Sequence, residues 1–208
     1  MANQARRVSG CVIAGMGIAI LAVMATHAPP AKAAGPVLIR GPYLQSVTAT
    51  SAIVVWRTDG AGDTQVDYGV GSYTYSISDT TIGTEHVASL ASLVTGTEVM
   101  YRILTNGTQL YAGSFRTAVD VDTTFSFAVL GDSGVGSTAQ YSIANVMTSL
   151  DPMFVLHTGD VIYPSGQYEG YDPFFFAPYQ TLLRRAPMFL SLGNHDYGTL
   201  SGQPYLDT

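Results

Sequence analysis

Three short blocks of the sequence set a glycine directly before a polar side chain able to bind a metal or move a proton: Gly131-Asp132, Gly159-Asp160 and Gly193-Asn194-His195. Two carboxylates and an amide offer oxygen donors, and the imidazole beside them offers nitrogen, a set that suits hard or borderline cations. A carboxylate has two oxygens, so one Asp could bridge two ions. Two metals about 3.5–4 Å apart clamp a phosphoryl group and generate hydroxide at neutral pH. Glycine before each polar residue lets the backbone turn sharply and come close to a bound group. Singly, Asp132 and Asp160 also read as turn or N-cap residues and Asn194 as a turn asparagine. The repetition of the pattern carries the reading. His157, just ahead of Thr158-Gly159-Asp160, reads as a packing or hydrogen-bonding residue at a strand end with no metal role, and His86 as a surface residue.

The elements that must position these residues are short and apolar. Phe125-Ser126-Phe127-Ala128-Val129-Leu130 is a nearly continuous apolar run ending at Gly131, as expected of a strand buried on both faces. Met153–Leu156 and Met188–Leu192 are two further strands, ending near Gly159 and Gly193. Between the first two, Ser137 and Gln140 have the spacing of a capping box. Ala139, Ile143, Val146, Met147 and Leu150 follow as a helical stripe. A second helix is expected over 172–184, opened by Asp172-Pro173, and 163–171 reads as loop. The order β-α-β-α-β predicts a parallel sheet with covering helices. Such sheets bind ligands beyond the carboxyl ends of their strands, which gathers Asp132, Asp160, Asn194 and His195 around one crevice. A dinucleotide loop is disfavoured. Gly131, Gly134 and Gly136 have the wrong spacing, and Asp132 would oppose a pyrophosphate.

Residues 36–118 have a different period. Ala52, Val54 and Trp56 alternate onto one face, and Val66/Tyr68, Val99/Tyr101/Ile103 and Phe115 repeat the pattern. Turn signals separate them: Asp59-Gly60, Gly62-Asp63, Gly69, Gly71, Gly96 and Asn106-Gly107. Seven or so short strands at this spacing predict a β-sandwich. Asn106-Gly107-Thr108 reads as a hairpin turn rather than a glycosylation acceptor.

The chain of 208 residues is 47% hydrophobic, enough for a buried core, and only 12% charged, about half the usual share of ~25%. Its net charge of −6 argues against a partner held by neutralising nucleic-acid phosphates. The single Cys11 provides no disulfide framework. Arg6 and Arg7, the apolar run Cys11–Ala25 and the small-x-small Ala31-Lys32-Ala33 read as a signal peptide over 1–33. The run is too short for a stable membrane anchor. The expected location is therefore secreted or periplasmic.

GDSG at 131–134, GDVIY at 159–163 and GNHD at 193–196 resemble the first three signature blocks of the calcineurin-like metallophosphoesterases. Tyr163, three places after Asp160, narrows the resemblance to purple acid phosphatases. Ile39–Gln45, Trp56-Arg57-Thr58, Val66–Gly69, Tyr101-Arg102 and Phe115-Arg116-Thr117 are similar to the fibronectin-III-like N-terminal domain of those enzymes. The resemblance implies a fibronectin-III/Ig-like β-sandwich over 36–118, then a truncated α/β metallophosphoesterase domain over 124–208. The latter would be the β-α-β-α-β half of an α/β/β/α sandwich. It further implies that Asp132 and Tyr163 ligate Fe(3+), that Asp160 bridges both metals and that Asn194 ligates a second ion, Fe(2+), Zn(2+) or Mn(2+). His195 would contact the phosphate and protonate the leaving alkoxide. The implied reaction is in-line attack of a metal-activated hydroxide on a small phosphomonoester.

The family draws three more His ligands from two later blocks, and His27, His86, His157 and His195 cannot fill those places. The chain is accordingly expected to be the N-terminal part of a longer acid-phosphatase-like enzyme. Alone it is expected to be inactive, with an apolar edge on its half-sheet. The alternatives are a catalytically dead extracellular binding module and a phosphodiesterase of the same superfamily. Asp196 stands where many purple acid phosphatases have Glu. Substrate identity, the second metal and oligomeric state stay open.

Overall fold

Antiparallel and parallel strands occupy separate stretches of the chain. The structure, a computed structural model, describes residues 35–208, so the signal-peptide expectation lies outside the described residues. The antiparallel part contains β1 (Leu38–Gln45), β2 (Ala52–Gly69), β3 (Tyr75–Leu90), β4 (Glu98–Thr105) and β5 (Thr108–Arg116). They form one five-stranded sheet in the order β1-β2-β4-β5, with β3 also paired to β2. The expected seven short strands are thus five, two of them long. Asp59-Gly60 and Gly62-Asp63 do not reverse the chain. They lie inside β2, where its pairing with β3 shifts register between Arg57 and Thr64. Glycine there serves a bend and a close approach: a Cβ on Gly62 would collide with Thr105.

The sheet curls about this bend. Val54, Trp56, Val66, Tyr68, Val99, Tyr101, Ile103 and Phe115 form the core on its inner side. Val55 and Tyr43 point the other way and join a second core around the helices. That is why β2 is apolar at Ile53 and Val55 as well as on the predicted face.

His86 is not on the surface. It is 1% exposed, because its register partner is Trp56, whose ring it stacks on at 4.9 Å. The Thr58 hydroxyl donates to the Gly60 carbonyl, so its oxygen accepts from His86 Nε2–H at 2.9 Å. Burial disfavours a second ring proton, so Nδ1 is bare and accepts from Thr64 Oγ at 2.9 Å.

The parallel part contains β6 (Ala128–Leu130), α1 (Thr138–Ser149), β7 (Val155–His157), α2 (Ala177–Leu183), β8 (Met188–Leu190) and the short α3 (Gln203–Leu206). The strands pair in parallel in the order β6-β7-β8. Asp172-Pro173 does open the second helix, through a π-helical turn over Asp172–Phe176 that runs into α2. Ser137 caps α1 by accepting from the Gln140 N–H. The Gln140 side chain does not close the box. It is buried, accepts from the Val135 and Gly136 N–H groups and donates to Phe174 O at 2.7 Å. This draws Gln140, Ala144 and Met147 inward and leaves Ile143, Val146 and Leu150 of the expected stripe exposed.

The strands are not buried on both faces. Val129, Leu156 and Phe189 are 56%, 38% and 47% exposed, since helices cover the opposite face only. Phe127 stacks on Phe154 at 5.2 Å, and Phe154 meets Phe189 at 6.0 Å, so an apolar face is open as well.

The antiparallel sheet docks on both ends of the α2 segment. Buried Arg40 pairs with Asp172 at 2.5 Å and lies over the Phe176 ring at 4.2 Å. At the other end Arg184 donates to Gly41 O at 2.9 Å, and Tyr101 Oη donates to Arg184 O at 2.8 Å. Among the described residues no helix is long and apolar enough to cross a membrane.

Burial lowers the pKa of His86, and also of His157, below the usual imidazole range near 6.5. Below about pH 6.5 the unfolded chain takes up protons that these folded imidazoles refuse, so stability is complete above that pH and lost below it. The urea midpoint should therefore drop between pH 7 and pH 5, and the slope should be shallower in His86→Gln than in the wild type.

Candidate metal centre

The three Gly-polar blocks do lie beyond the carboxyl ends of β6, β7 and β8. Asp132 and Asp160 both have positive φ, 52° and 56°, which aims each turn sharply away from its strand. The loops are laced by backbone bonds from Asp132 N–H to Gly159 O and from Ser133 N–H to Asp160 O, both 3.1 Å. Gly134, with φ of 71°, lets the second loop, after Asp160, come close to the first. A Cβ there would overlap the Val161 carbonyl, and the Tyr163 N–H donates to Gly134 O at 3.1 Å.

The result is a convergence of oxygens. Tyr163 Oη donates to Asp132 Oδ1 at 2.9 Å and to Asp160 Oδ2 at 3.1 Å. Asp160 Oδ1 accepts from the His195 backbone N–H at 2.9 Å, which leaves Oδ2 to the cluster. The His195 ring lies 4.4 Å from the Tyr163 ring, and its Nδ1 is 2.6 Å from Pro164 O. A carbonyl only accepts, so Nδ1 carries the proton and Nε2 stays available. Asp132, Asp160, Tyr163 and His195 are thus brought together. The Asn194 side chain is exposed beside them and makes no hydrogen bond to them among the described residues. His157 is buried at the end of β7 and bonded to Ser133 and Gly159, as a strand-end residue.

Loss of solvent around the phenol, reinforced by the carboxylates of Asp132 and Asp160 that it donates to, pushes the Tyr163 pKa up. With no cation present the phenol keeps its proton. The donors fit a hard cation: a phenol and two carboxylates from different loops point at one spot, and they are oxygen only. Among the described residues no three or more His, Cys, Asp or Glu side chains cluster closely enough to hold a metal, so the shell is partial. Volume does not mark this place. A cleft of about 510 Å³ lies elsewhere, at the amino ends of β6 and β7, where Arg116, Ser126 and Met153 line it.

One residue of the centre is not legible as such in the sequence. Asp196 is 0% exposed and accepts from the N–H groups of Val161 (2.9 Å), Ile162 (2.9 Å) and Gly193 (2.9 Å). It joins the second block to the third from beneath. The available signals are its place as the last residue of the GNHD block and the apolar Val161-Ile162 pair, and neither reveals the supporting role.

Residues 125–207 match the family model of the calcineurin-like phosphoesterases. None of the curated proteins matches the chain. Among solved structures the chain is similar to PhoD, with a TM-score of 0.59 at 14% identity, over 82% of this chain and 41% of that one. It therefore shares the fold of that portion and spans less than half of PhoD's length. The fibronectin type III domain of human collagen XX also matches, at 18% identity over 44% of this chain and 100% of that one, with a TM-score of 0.34.

Replacing Asp196 strips three buried N–H groups of a charged acceptor. Asp196→Asn should lower unfolding stability by about 3 kcal/mol, read from urea denaturation. A Cβ on Gly193 would collide with the Asp160 carboxylate. Gly193→Ala should therefore abolish metal binding, measured by calorimetry, and should also lower stability, since the same Cβ overlaps the Asp160 backbone nitrogen.

Proposed function

We propose that this chain carries metal ligands of a phosphoesterase centre of the purple-acid-phosphatase type, acting on small phosphate monoesters. Asp132 and Tyr163 would hold Fe(3+), Asp160 would bridge, and Asn194 would hold Fe(2+), Zn(2+) or Mn(2+). The 1–33 leader would export the chain, and the antiparallel domain over 36–118 would serve as a fibronectin-III-like support. The observation that carries the reading is the placement of Tyr163 Oη between Asp132 and Asp160. The family match over 125–207 supports the phosphoesterase class.

Bound metals would neutralise phosphate charge and activate water. The residues of this chain do the rest. Asp160 is oriented by the His195 N–H on Oδ1 and turns Oδ2 toward the Tyr163 oxygen. His195 is held by its Nδ1–H on Pro164 O, which leaves Nε2 without a partner among the described residues. As an imidazolium it donates the Nε2 proton to the leaving oxygen, a role generally worth about 10²–10⁴ in rate. Tyr163 must surrender its proton to bind Fe(3+), so metal uptake releases protons and weakens as pH falls.

Fe(3+) added to the protein should produce a visible absorption band that Tyr163→Phe removes. A band that survives the substitution refutes the ferric-phenolate assignment. With Fe(3+) plus Zn(2+) or Mn(2+), hydrolysis of p-nitrophenyl phosphate should be slow, given the partial shell among the described residues, and should disappear in Asp160→Asn. Turnover that persists in that variant removes the bridging role.

A further inference from the structure

His157 has no part in the proposed ligand set, yet it is buried at the junction of the two carboxylate loops. Its Nδ1 accepts from the Gly159 backbone N–H at 3.2 Å and therefore carries no proton. The ring proton of the neutral imidazole is then on Nε2, which donates to Ser133 Oγ at 2.8 Å. This polarity excludes a nucleophilic Ser–His pair, because the imidazole presents Ser133 with a proton and not a lone pair. Ser133 directly follows Asp132, and Gly159 directly precedes Asp160. One rigid ring thus spans both carboxylate-bearing turns, behind the backbone bonds that already join them.

We propose that His157 is a positioning residue for the metal centre, its Nε2-protonated imidazole setting the spacing of the Asp132 and Asp160 carboxylates through Ser133 and Gly159. The proposal rests on the metal reading above and adds to it a residue that touches neither metal nor substrate. Groups that orient metal ligands in this way commonly contribute 10- to 100-fold in metal affinity.

The test uses Mn(2+) as probe, with binding followed by electron paramagnetic resonance. His157→Phe should weaken binding about 10- to 100-fold. Ser133→Ala should weaken it as well, and the double variant should bind no worse than His157→Phe, since both substitutions break the same link. Urea midpoints in chelator separate this from a general loss of stability: Ser133→Ala should lower the midpoint only modestly, without unfolding the protein under assay conditions, while metal affinity falls. Unchanged affinity in the single variants, or effects that simply add in the double variant, overturns the positioning role while leaving the metal reading intact. Absence of binding by the wild type with Mn(2+), Zn(2+) and Fe(3+) alike overturns both. Should His157→Phe not fold, Ser133→Ala and the ¹⁵N shifts of the wild-type imidazole decide. Those shifts must report a protonated Nε2 and a bare Nδ1, and the opposite tautomer sinks the proposal.

Discussion

The carboxylate of Asp196, fully removed from solvent, is the constraint around which the strand-end loops are arranged. Burying a charge without partners is costly, and here three backbone N–H donors from two separate loops offset that cost. Those donors would otherwise be orphaned at the ends of β7 and β8. Satisfying them fixes the path of the chain immediately after Asp160 and immediately before Asn194. The exposed oxygens of the centre are therefore held by a polar knot beneath them, and the side chains that would touch a metal need supply little of their own rigidity. His157 does for the first and second loops what Asp196 does for the second and third.

A second layer of support comes from the antiparallel sheet. Arg40 holds Asp172 at the start of the π-helical turn, while Gly41 and Tyr101 hold Arg184 at the end of α2. The segment between those anchors follows the loop bearing Tyr163, so the sheet fixes where that loop must end. Arg40 is nearly free of solvent and Asp172 is half exposed. The pair is thus a matter of geometry more than of net stability, in keeping with the desolvation that buried ion pairs incur. The outward apolar positions of β1 and β2, Tyr43 and Val55, belong to this same contact.

Much of this was legible in the residues. Glycine before a polar group at three strand ends marked the centre, Ser137 marked the start of α1, and Asp172-Pro173 marked the start of the second helix. Other features were hidden because local pattern does not encode who the neighbour is. Gly60 and Gly62 look the same in a turn and in a bent strand, and only the long β2–β3 register tells them apart. His86 looks like a surface histidine until Trp56 is found opposite it. The stripe of α1 was misplaced because buried Gln140 reads as polar, although its amide satisfies loop and helix backbone groups. Phe127, Val129 and Phe189 have the composition of a doubly covered strand, and composition alone could not say which face the helices would take.

The unbroken run of β2 has a consequence for how the antiparallel domain comes apart. Its 18 residues pair with β1 and β3 at one end and with β3 and β4 at the other. Peeling either half of the curled sheet means releasing the same strand, so the halves share one fate and do not fray as independent units. Because β1 and β2 also carry the contacts to α2, the slowest-exchanging amides of β2 should report on the integrity of the distant oxygen cluster as well as on the sheet itself.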